Sequence, residues 1–359
     1  TAAYWRGIDP IDRPEFVNDF LPATDLIMAL TDSYDAIVMN PPYMATSKEP
    51  NIRNYAINNY IEGKEDLKTI FMLVAKRIVK DNGLWSMINL PSWMFLSSFE
   101  KFREIIVSEL HIESLLHLGR GIFGSDFGSV AFTILNRKHQ GKGTYRRLFE
   151  NHVAVRSVAT IHSLFLNKSY NSFLFDQNNF IKIPGCPFGY WLSDDIISLF
   201  QTSSLSKYAN PKQGLATGDN ERFLKYVWEI SKTKRGLTKW VPCSKGGPFR
   251  KWFGNIVYAV NWENDGDELK NFKDENGRLR SRPQNISFYF SSPGATWSTI
   301  SSGKPSFRFF EKDWLFETKG SVCFPKKETN LNILLGYLNS PLVVEFLKVL
   351  SPTVDYHEG

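Results

Sequence analysis

Four consecutive residues, Asn40-Pro41-Pro42-Tyr43, combine hydrogen-bond acceptors, a rigid backbone and an aromatic ring. The Asn40 side-chain carbonyl and the Pro41 backbone carbonyl are two acceptors, and the proline ring fixes φ at Pro41. Two acceptors held close together suit a planar amino group, because accepting both of its hydrogens draws the nitrogen lone pair out of conjugation. The nitrogen is then aimed at an electrophile and loses its proton after attack. Tyr43 can stack on the flat ring that carries the amino group.

An apolar strand is expected to position this tetrapeptide. Residues 36–39 are apolar and β-branched at their centre, which predicts a buried parallel strand. Two prolines cannot continue a central strand, so the chain must leave the sheet at residue 40. Ligands bind at that carboxyl end in open α/β sheets, and we therefore expect an active site there. The alternative is an ordinary strand followed by a Pro-Pro turn.

The residues after this corner predict alternating helices and strands. We expect a mobile loop over 44–65, a helix over 66–81 that ends at Asn82-Gly83, and a helix over 97–110 that opens with a capping box. The predicted strands are 84–90, 112–118 and 129–135. This alternation is typical of a doubly wound α/β sheet.

Composition limits the classes of protein. The chain has 359 residues, which allows one to three domains. A net charge of +6 and an aromatic share of 14% fit nucleic-acid binding, because phosphates attract cations and bases stack on flat rings. Cys186, Cys243 and Cys323 are far apart and odd in number, so we expect no disulfide framework, no zinc knuckle and a reducing cytoplasm. The histidines show no metal-ligand spacing, and no apolar run is long enough to cross a membrane.

Glycine turns beside cationic and aromatic residues recur after residue 187, and such turns let a loop approach a duplex backbone closely. One stretch reads Lys-Gly-Gly-Pro-Phe-Arg-Lys-Trp-Phe-Gly-Asn over residues 245–255. The alternative for such basic clusters is an ordinary solvated surface. The candidate DNA contacts are Asn220, Lys245, Arg250, Lys251 and Arg308.

The tetrapeptide resembles motif IV of the amino-group methyltransferases that use S-adenosylmethionine, in its adenine-N6 form. Similarity to the TaqI-like enzymes, and within them to the adenine methyltransferases of phage defence (BREX or phage growth limitation), covers most of the chain. Glu65-Asp66-Leu67 looks like motif V, residues 83–96 look like motif VI, and Gly121-Ile122-Phe123-Gly124 is placed like motif VIII. The resemblance implies that Asn40, Pro41, Pro42 and Tyr43 hold an extruded adenine and that Phe123 packs on its other face. The alternative for Phe123 is a core aromatic in a glycine-rich turn.

The same resemblance implies cofactor contacts. Asp19-Phe20 looks like motif III, whose acid meets the adenine of the cofactor, and Asp66 belongs to the motif that borders the cofactor site. For Asp19-Phe20 the alternative is a loop before a short helix. The family's glycine-rich donor-binding turn is absent from the 39 residues before Asn40 and from those after the recognition region. The resemblance therefore implies a fragment without the main S-adenosylmethionine motif.

Together, these resemblances imply an α/β fold. Residues 1–175 would form a partial Rossmann-like methyltransferase sheet, its C-terminal half, and residues 176–359 a mixed α+β target-recognition domain. The implied function is site-specific adenine-N6 methylation of double-stranded DNA, with other defence-system proteins as further partners, and with this fragment inactive by itself.

Two alternatives stay open. The first is a non-catalytic DNA-binding or specificity module. The second is a methyltransferase that acts on RNA or on a protein glutamine, against which the long region after the catalytic part counts.

Overall fold

The computed structural model divides into two compact units, residues 1–197 and 198–359. It describes residues 4, 6–123, 128–150, 154–231, 233, 239–301, 303–351 and 355–357. Residues 176–197 lie in the first unit, where their aromatic side chains are part of the core. The Phe188 ring lies 5.1 Å from that of Trp93, and the Tyr190 ring lies 5.2 Å from that of Tyr145.

The described strands of the first unit form one mixed sheet. They are β1 (Tyr34–Met39), β2 (Val79–Asn89), β3 (His111–Arg120), β4 (Gly128–Leu135), β5 (Gly143–Arg147) and β6 (Ser172–Phe175). Their order is β1-β2-β4-β3-β5-β6. β1 is parallel to β2 and β3 is parallel to β5, while β4 is antiparallel to both of its neighbours and β6 is antiparallel to β5.

The described helices of this unit follow or connect those strands. They are α1 (Glu15–Thr31), α2 (Pro50–Asn59), α3 (Leu67–Ile78), α4 (Glu100–Glu109), α5 (Val158–Leu166) and α6 (Asp194–Leu199), which contains the boundary between the units.

The antiparallel strand β4 is the main departure from a doubly wound parallel sheet. β3 ends at Arg120 and β4 begins at Gly128. So short a connection can join only antiparallel neighbours, because a parallel crossover needs a dozen or more residues. The sequence predicted strands close to β3 and β4. It did not predict that they are antiparallel, which depends on the length of the connection and on pairing with neighbouring strands.

The segment over 44–65 is helical rather than a loop. Helix α2 begins at Pro50, whose fixed φ suits the first helical position. Ala56 is fully buried on this helix, and Arg53 forms a 2.9 Å ion pair with Glu65. Tertiary packing thus stabilises a polar sequence that has little amphipathic pattern of its own.

Two helix ends also differ from expectation. Helix α3 stops at Ile78, three residues before the predicted end, because the chain enters β2 at Val79. Asn82, with φ at +64°, bends the start of that strand instead of ending the helix. The predicted capping box at Ser97 does not form, since a short 3₁₀ turn precedes α4 and the α4 N-cap makes no side-chain bond.

Strand β1 is an edge of the described sheet and pairs only with β2. Val38 is 84% exposed, and Ala36 is exposed as well. The expected burial of this strand is therefore wrong for the described residues. An apolar strand is buried only where helices or further strands cover it.

Trp93 and Arg103 anchor the segment that follows β2. The fully buried Trp93 ring makes edge contacts with Phe102, Phe132 and Phe188 at centroid distances of 5.9, 5.4 and 5.1 Å. Arg103 is 1% exposed and donates to the carbonyl oxygens of Trp93 (2.9 Å), Leu96 (2.6 Å) and Gly185 (3.0 Å). Burial lowers the pKa of the Arg103 guanidinium to about 10.

The second unit contains two four-stranded sheets among its described residues. The strands are β7 (Ala209–Lys212), β8 (Leu224–Tyr226), β9 (Trp240–Ser244), β10 (Tyr258–Asn261), β11 (Gly294–Trp297), β12 (Phe307–Phe310), β13 (Leu315–Phe316) and β14 (Val322–Pro325). The sheet orders are β13-β9-β10-β8 and β12-β11-β14-β7. One buried cluster draws on both sheets, with Val241 and Phe316 from the first and Phe310 and Phe324 from the second.

Helices flank these two sheets. The described ones are α7 (Asn220–Phe223), α8 (Glu263–Lys270), α9 (Leu331–Leu338) and α10 (Pro341–Leu350). Across the described residues, no single helix is long and apolar enough to cross a membrane, and α9 with α10 passes that test only as a pair bent by 63°.

Replacing Arg103 tests how strongly this anchor stabilises the first unit. Arg103→Ala leaves three carbonyl oxygens without their donor and opens a cavity beside Trp93, so we expect the free energy of unfolding to fall by about 3–5 kcal/mol. Urea denaturation followed by tryptophan fluorescence measures the change. Lys101→Ala removes an exposed cation from the same helix and should leave the midpoint where it is. Equal midpoints for the two variants would contradict the anchoring role of Arg103.

Candidate active site

Asn40 to Tyr43 follow β1 directly, at the end of the sheet where β2 also terminates. The parallel register pairs Met39 with Met87, so Asn40 comes beside Ile88 of the neighbouring strand. Pro41 is buried, whereas Asn40 and Tyr43 are exposed. The prolines offer no N–H to the ladder. The corner thus presents one amide side chain and one ring at the carboxyl end of two parallel strands.

The Tyr43 hydroxyl ties this corner together. Its oxygen lies 2.5 Å from Oδ1 of Asn40 and 3.0 Å from the carbonyl oxygen of Ile88, and it can donate to either. Partial burial raises the pKa of Tyr43 above its ordinary value of 10.0, so the hydroxyl keeps its proton at neutral pH. An amide oxygen has two acceptor sites. Oδ1 of Asn40 therefore retains a site for a second donor while Tyr43 occupies the first.

The residues after Tyr43 are held by the start of α3. Leu67 donates its backbone N–H to the Met44 carbonyl oxygen at 3.0 Å, and Ala45 forms an isolated β-bridge with Asp66. Thr46 donates to the Glu65 carbonyl oxygen at 3.2 Å. Both sides of the corner are thus fixed by backbone hydrogen bonds, to β2 on one side and to α3 on the other.

Phe123 lies in the turn after β3, at the same end of the sheet, and its ring is 56% exposed. Residues 124–127, which include Gly124 of the expected motif, lie outside the described residues. Gly121 has φ at +111°, and a Cβ there would collide with the Arg156 carbonyl oxygen. Arg156 in turn donates to Leu118 at 2.9 Å. Close backbone packing therefore fixes the turn that carries Phe123.

Asp66 is committed within the chain. One carboxylate oxygen accepts the backbone N–H of Lys68 at 3.1 Å and caps α3. The other forms a 2.8 Å ion pair with the Lys68 ammonium, which is 2% exposed. The loss of hydration outweighs this pairing and lowers the pKa of Lys68. A cofactor contact by Asp66 would have to share these bonds.

Asp19 and Phe20 lie inside α1 rather than in a loop. The Asp19 side chain is outside the described part of the chain, and the Phe20 ring is 64% exposed. The cofactor contact expected of both residues stays a prediction.

The side chains of two of the five candidate DNA-binding residues form hydrogen bonds inside the second unit. Arg308 is fully buried in β12, where its guanidinium lies 3.3 Å from Ser298 Oγ and about as close to the Arg250 carbonyl oxygen, at 3.5 Å. Burial, with the nearby Arg250 charge, lowers the pKa of Arg308 to about 10. The Lys251 ammonium donates to the Asn339 carbonyl oxygen at 2.9 Å. This burial argues against the phosphate contact expected of Arg308.

The other three candidates differ in accessibility. Asn220 is exposed at the start of α7 and accepts from Thr217 at 2.7 Å. Arg250 is exposed. The Lys245 ammonium lies 5.8 Å from the Tyr258 ring centroid, buried, and has no hydrogen-bond partner among the described residues. Arg250 is thus the guanidinium of this set that is open to an external phosphate.

The sequence-based prediction missed three aromatic residues in the loop that joins β9 to β10. Phe249, Trp252 and Phe253 are 58, 54 and 60% exposed. Trp252 has φ at +75°, a left-handed conformation that costs a bulky residue about 1–2 kcal/mol. The available signal was local: three aromatic residues stand within a polar loop between glycines.

Comparison with known proteins supports one family. Residues 5–123 match the Eco57I restriction-modification methylase family. The chain is 36% identical over 351 residues to the adenine-specific methyltransferase PglX of Lacticaseibacillus casei (strain Zhang). The aligned region covers 92% of this chain and 29% of that protein. It is 32% identical over 364 residues to the adenine-specific methyltransferase BrxX of Escherichia coli O9:H4 (strain HS), covering 97% of this chain and 29% of that protein. The family resemblance indicated by the motifs is confirmed.

The chain therefore spans about three tenths of the length of these two curated relatives. Among solved structures, it is similar to the type IIL restriction-modification enzyme MmeI, solved in complex with DNA, with a TM-score of 0.54 at 12% identity. That similarity covers 88% of this chain and 43% of MmeI. At this identity the two proteins share a fold, and the likeness extends over both units.

Substituting Gly121 tests the packing beneath the Phe123 turn. Gly121→Ala combines a positive φ with a collision against the Arg156 backbone, so we expect a loss of about 3 kcal/mol or more in the free energy of unfolding. Gly141→Ala is the matched control, because Gly141 also has a positive φ (+81°) but no atom within 4 Å of the place that the new methyl group would take. It should cost about 1 kcal/mol. Urea denaturation of both variants decides, and equal losses would contradict the packing argument.

Proposed function

Since residues 5–123 belong to the Eco57I restriction-modification methylase family, we propose that this chain is part of a site-specific DNA adenine-N6 methyltransferase of a restriction or phage-defence system. One observation carries the proposal: the Asn40 amide and the Tyr43 ring lie together at the carboxyl end of β1. The Tyr43 hydroxyl oxygen is 2.5 Å from Oδ1 of Asn40. The names of both curated relatives agree with this activity.

The proposed chemistry needs acceptors rather than a base. Asn40 Oδ1 and the Pro41 carbonyl oxygen accept the two hydrogens of the adenine amino group, and the nitrogen lone pair turns out of the ring plane. S-adenosylmethionine, when bound, supplies an electrophilic methyl group. Because the amino nitrogen loses its proton only after attack, no ionisable side chain has to act as a general base beforehand. The Tyr43 hydroxyl can stay on the other acceptor site of Asn40 Oδ1.

The adenine must leave the double helix to reach this corner, which costs a few kcal/mol. Stacking on aromatic rings returns about 1–3 kcal/mol per base. β1 and β3 are separated by two strands, so the strands that precede Tyr43 and Phe123 stand roughly 14 Å apart. Two rings on opposite faces of a base stand about 7–8 Å apart. Side chains that extend toward each other from the segments after the two strands can close that difference.

The described residues form only part of a site for the methyl donor. Asp66 borders the corner through the Ala45 bridge, yet both of its carboxylate oxygens are engaged with Lys68. We therefore propose that the donor is held mainly by residues of the longer parent protein outside this chain, and that Asp66 shapes the wall of the site by fixing α3. By itself, this chain would bind DNA without transferring methyl groups.

Recognition of double-stranded DNA is assigned to the second unit. Arg250 is exposed, and Lys251 and the buried Arg308 add positive charge to the same loop region. Phosphate contacts of this kind supply much of the affinity and make it fall steeply with salt. Asn220 is exposed and is proposed as a further contact, whereas the buried ammonium of Lys245 argues against the contact expected of that residue.

Asn40 is the residue on which the mechanism depends. In the full-length protein, Asn40→Ala should abolish measurable methyl transfer, because one of the two acceptors is lost, while DNA affinity stays within a few-fold. Tritiated methyl incorporation and fluorescence anisotropy with a duplex measure the two quantities. Asn51→Ala changes an exposed asparagine on α2 and should alter neither. Transfer at the wild-type rate by the Asn40 variant would refute the assigned role.

Tyr43 separates stacking from hydrogen bonding. Tyr43→Phe keeps the ring and removes the bonds to Asn40 and Ile88, so transfer should stay within about tenfold of wild type. Tyr43→Ala removes the ring, and a stacking loss of 1–3 kcal/mol corresponds to roughly 5- to 150-fold weaker capture of the base. The fluorescence of 2-aminopurine at the target position reports extrusion of the base. If the Phe variant lost as much transfer and base extrusion as the Ala variant, the hydroxyl and not the ring would be the essential group.

A further inference from the structure

The loop that joins β9 to β10, residues 245–257, presents an unusual surface. Phe249, Trp252 and Phe253 expose more than half of their side chains. The same stretch contains Lys245, Arg250 and Lys251 and no acidic residue. We call this segment the aromatic loop. Large exposed aromatic side chains grouped together commonly mark a binding surface.

Trp252 is held outward by its backbone. Its N–H donates to the Phe307 carbonyl oxygen at 3.0 Å, and its carbonyl oxygen accepts the Phe309 N–H at 2.7 Å. These bonds attach the loop to the edge of β12 while φ stays at +75°. A glycine would adopt this conformation without strain. A tryptophan here therefore sacrifices stability for the position of its ring, and such strain tends to occur at functional sites.

Side-chain hydrogen bonds also hold the aromatic loop in place before any partner binds. Lys251 donates to Asn339, and the Asn339 side chain exchanges two hydrogen bonds with the Phe307 backbone, at 3.1 and 2.9 Å. Asn255 donates to the Pro248 carbonyl oxygen at 2.8 Å across the loop. Because these bonds exist before binding, little conformational entropy remains to be lost when the rings meet a partner.

The charge of the loop selects the partner. Arg250 is exposed between the aromatic rings, and the buried Arg308 lies beneath it with its own positive charge. An anionic polymer with flat apolar faces matches both features, and duplex DNA is such a polymer. Aromatic and apolar side chains that enter a duplex do so by partly unstacking a base step.

We propose that the aromatic loop is a wedge that inserts Trp252, flanked by Phe249 and Phe253, into a base step of duplex DNA while Arg250 binds an adjoining phosphate. The inference rests on the proposed function and extends it, because it names the side chains of the second unit that touch bases by stacking. The wedge distorts the duplex, and the energy for this comes from ring contacts rather than from counterion release.

Trp252→Gly in the full-length protein is the decisive variant, because glycine suits the +75° backbone and the fold should keep or raise its thermal midpoint. We expect duplex affinity to fall about 5- to 150-fold. The slope of log affinity against log salt should stay the same, since no phosphate contact is lost. Arg250→Gln should instead reduce that slope by about one. Ile333→Ala, at an apolar position on α9 that is 72% exposed, should change neither quantity.

Fluorescence anisotropy over a salt series, with 2-aminopurine stepped through the duplex to find the unstacked position, makes the measurement. Duplex affinity of Trp252→Gly within twofold of wild type would overturn the wedge, and so would a loss of affinity accompanied by a shallower salt slope. A wild-type protein that binds duplex and methylates it, with a Trp252→Gly variant that does both equally well, would refute the wedge alone. A wild-type protein that neither binds nor methylates duplex would refute the proposed function together with it.

Discussion

Two consecutive prolines follow Asn40, and neither has a backbone N–H to offer the neighbouring strand. This constraint ends β1, turns the chain away from the sheet and exposes the Asn40 amide at the point of departure. The Tyr43 hydroxyl then reaches back to the end of β2 and closes the corner. The position of each candidate catalytic atom follows from this missing donor capacity, because residues able to continue the ladder would have carried the chain on alongside β2 instead of turning it into the corner.

Three buried or half-buried arginines stabilise the loops at the candidate sites in the same way. Arg103 binds carbonyl oxygens after β2, Arg156 binds one beneath the Phe123 turn, and Arg308 lies against the Arg250 carbonyl oxygen of the aromatic loop. A guanidinium has five donors in a fixed plane and can satisfy several carbonyl oxygens at once. These three guanidinium groups face carbonyl oxygens of the protein itself. The net charge of +6 therefore overstates how much positive charge the surface offers to a polyanion.

Local patterns predicted what depends on neighbours in sequence. The strand before Asn40, the helix that begins after Asp66 and the strands that became β3 and β4 all carry their own periodicity or breakers, and they appear within a few residues of the expected bounds. The helical segment α2 was missed because its stability comes from contacts such as the ion pair of Arg53 with Glu65.

Long-range pairing explains the other differences. The burial of Arg308 follows from the pairing of β12 with the loop at Trp252, which no local pattern encodes. From the sequence alone, Asp66 could bind a cofactor, because a carboxylate just before a helix can either cap that helix or contact a ligand. One oxygen caps the helix, and the position of the Lys68 ammonium decides how the other oxygen is used.

The exposed edge of β1 has a practical consequence for the behaviour of the polypeptide in solution. Among the described residues, no strand pairs with its second side, where the Val38 side chain is exposed, and such an edge can recruit another strand and begin aggregation. The strand is only six residues long, and the prolines that follow cannot extend an intermolecular ladder. The same Pro-Pro pair that shapes the candidate site thus acts as a gatekeeper against self-association, so replacing it would endanger solubility as well as chemistry.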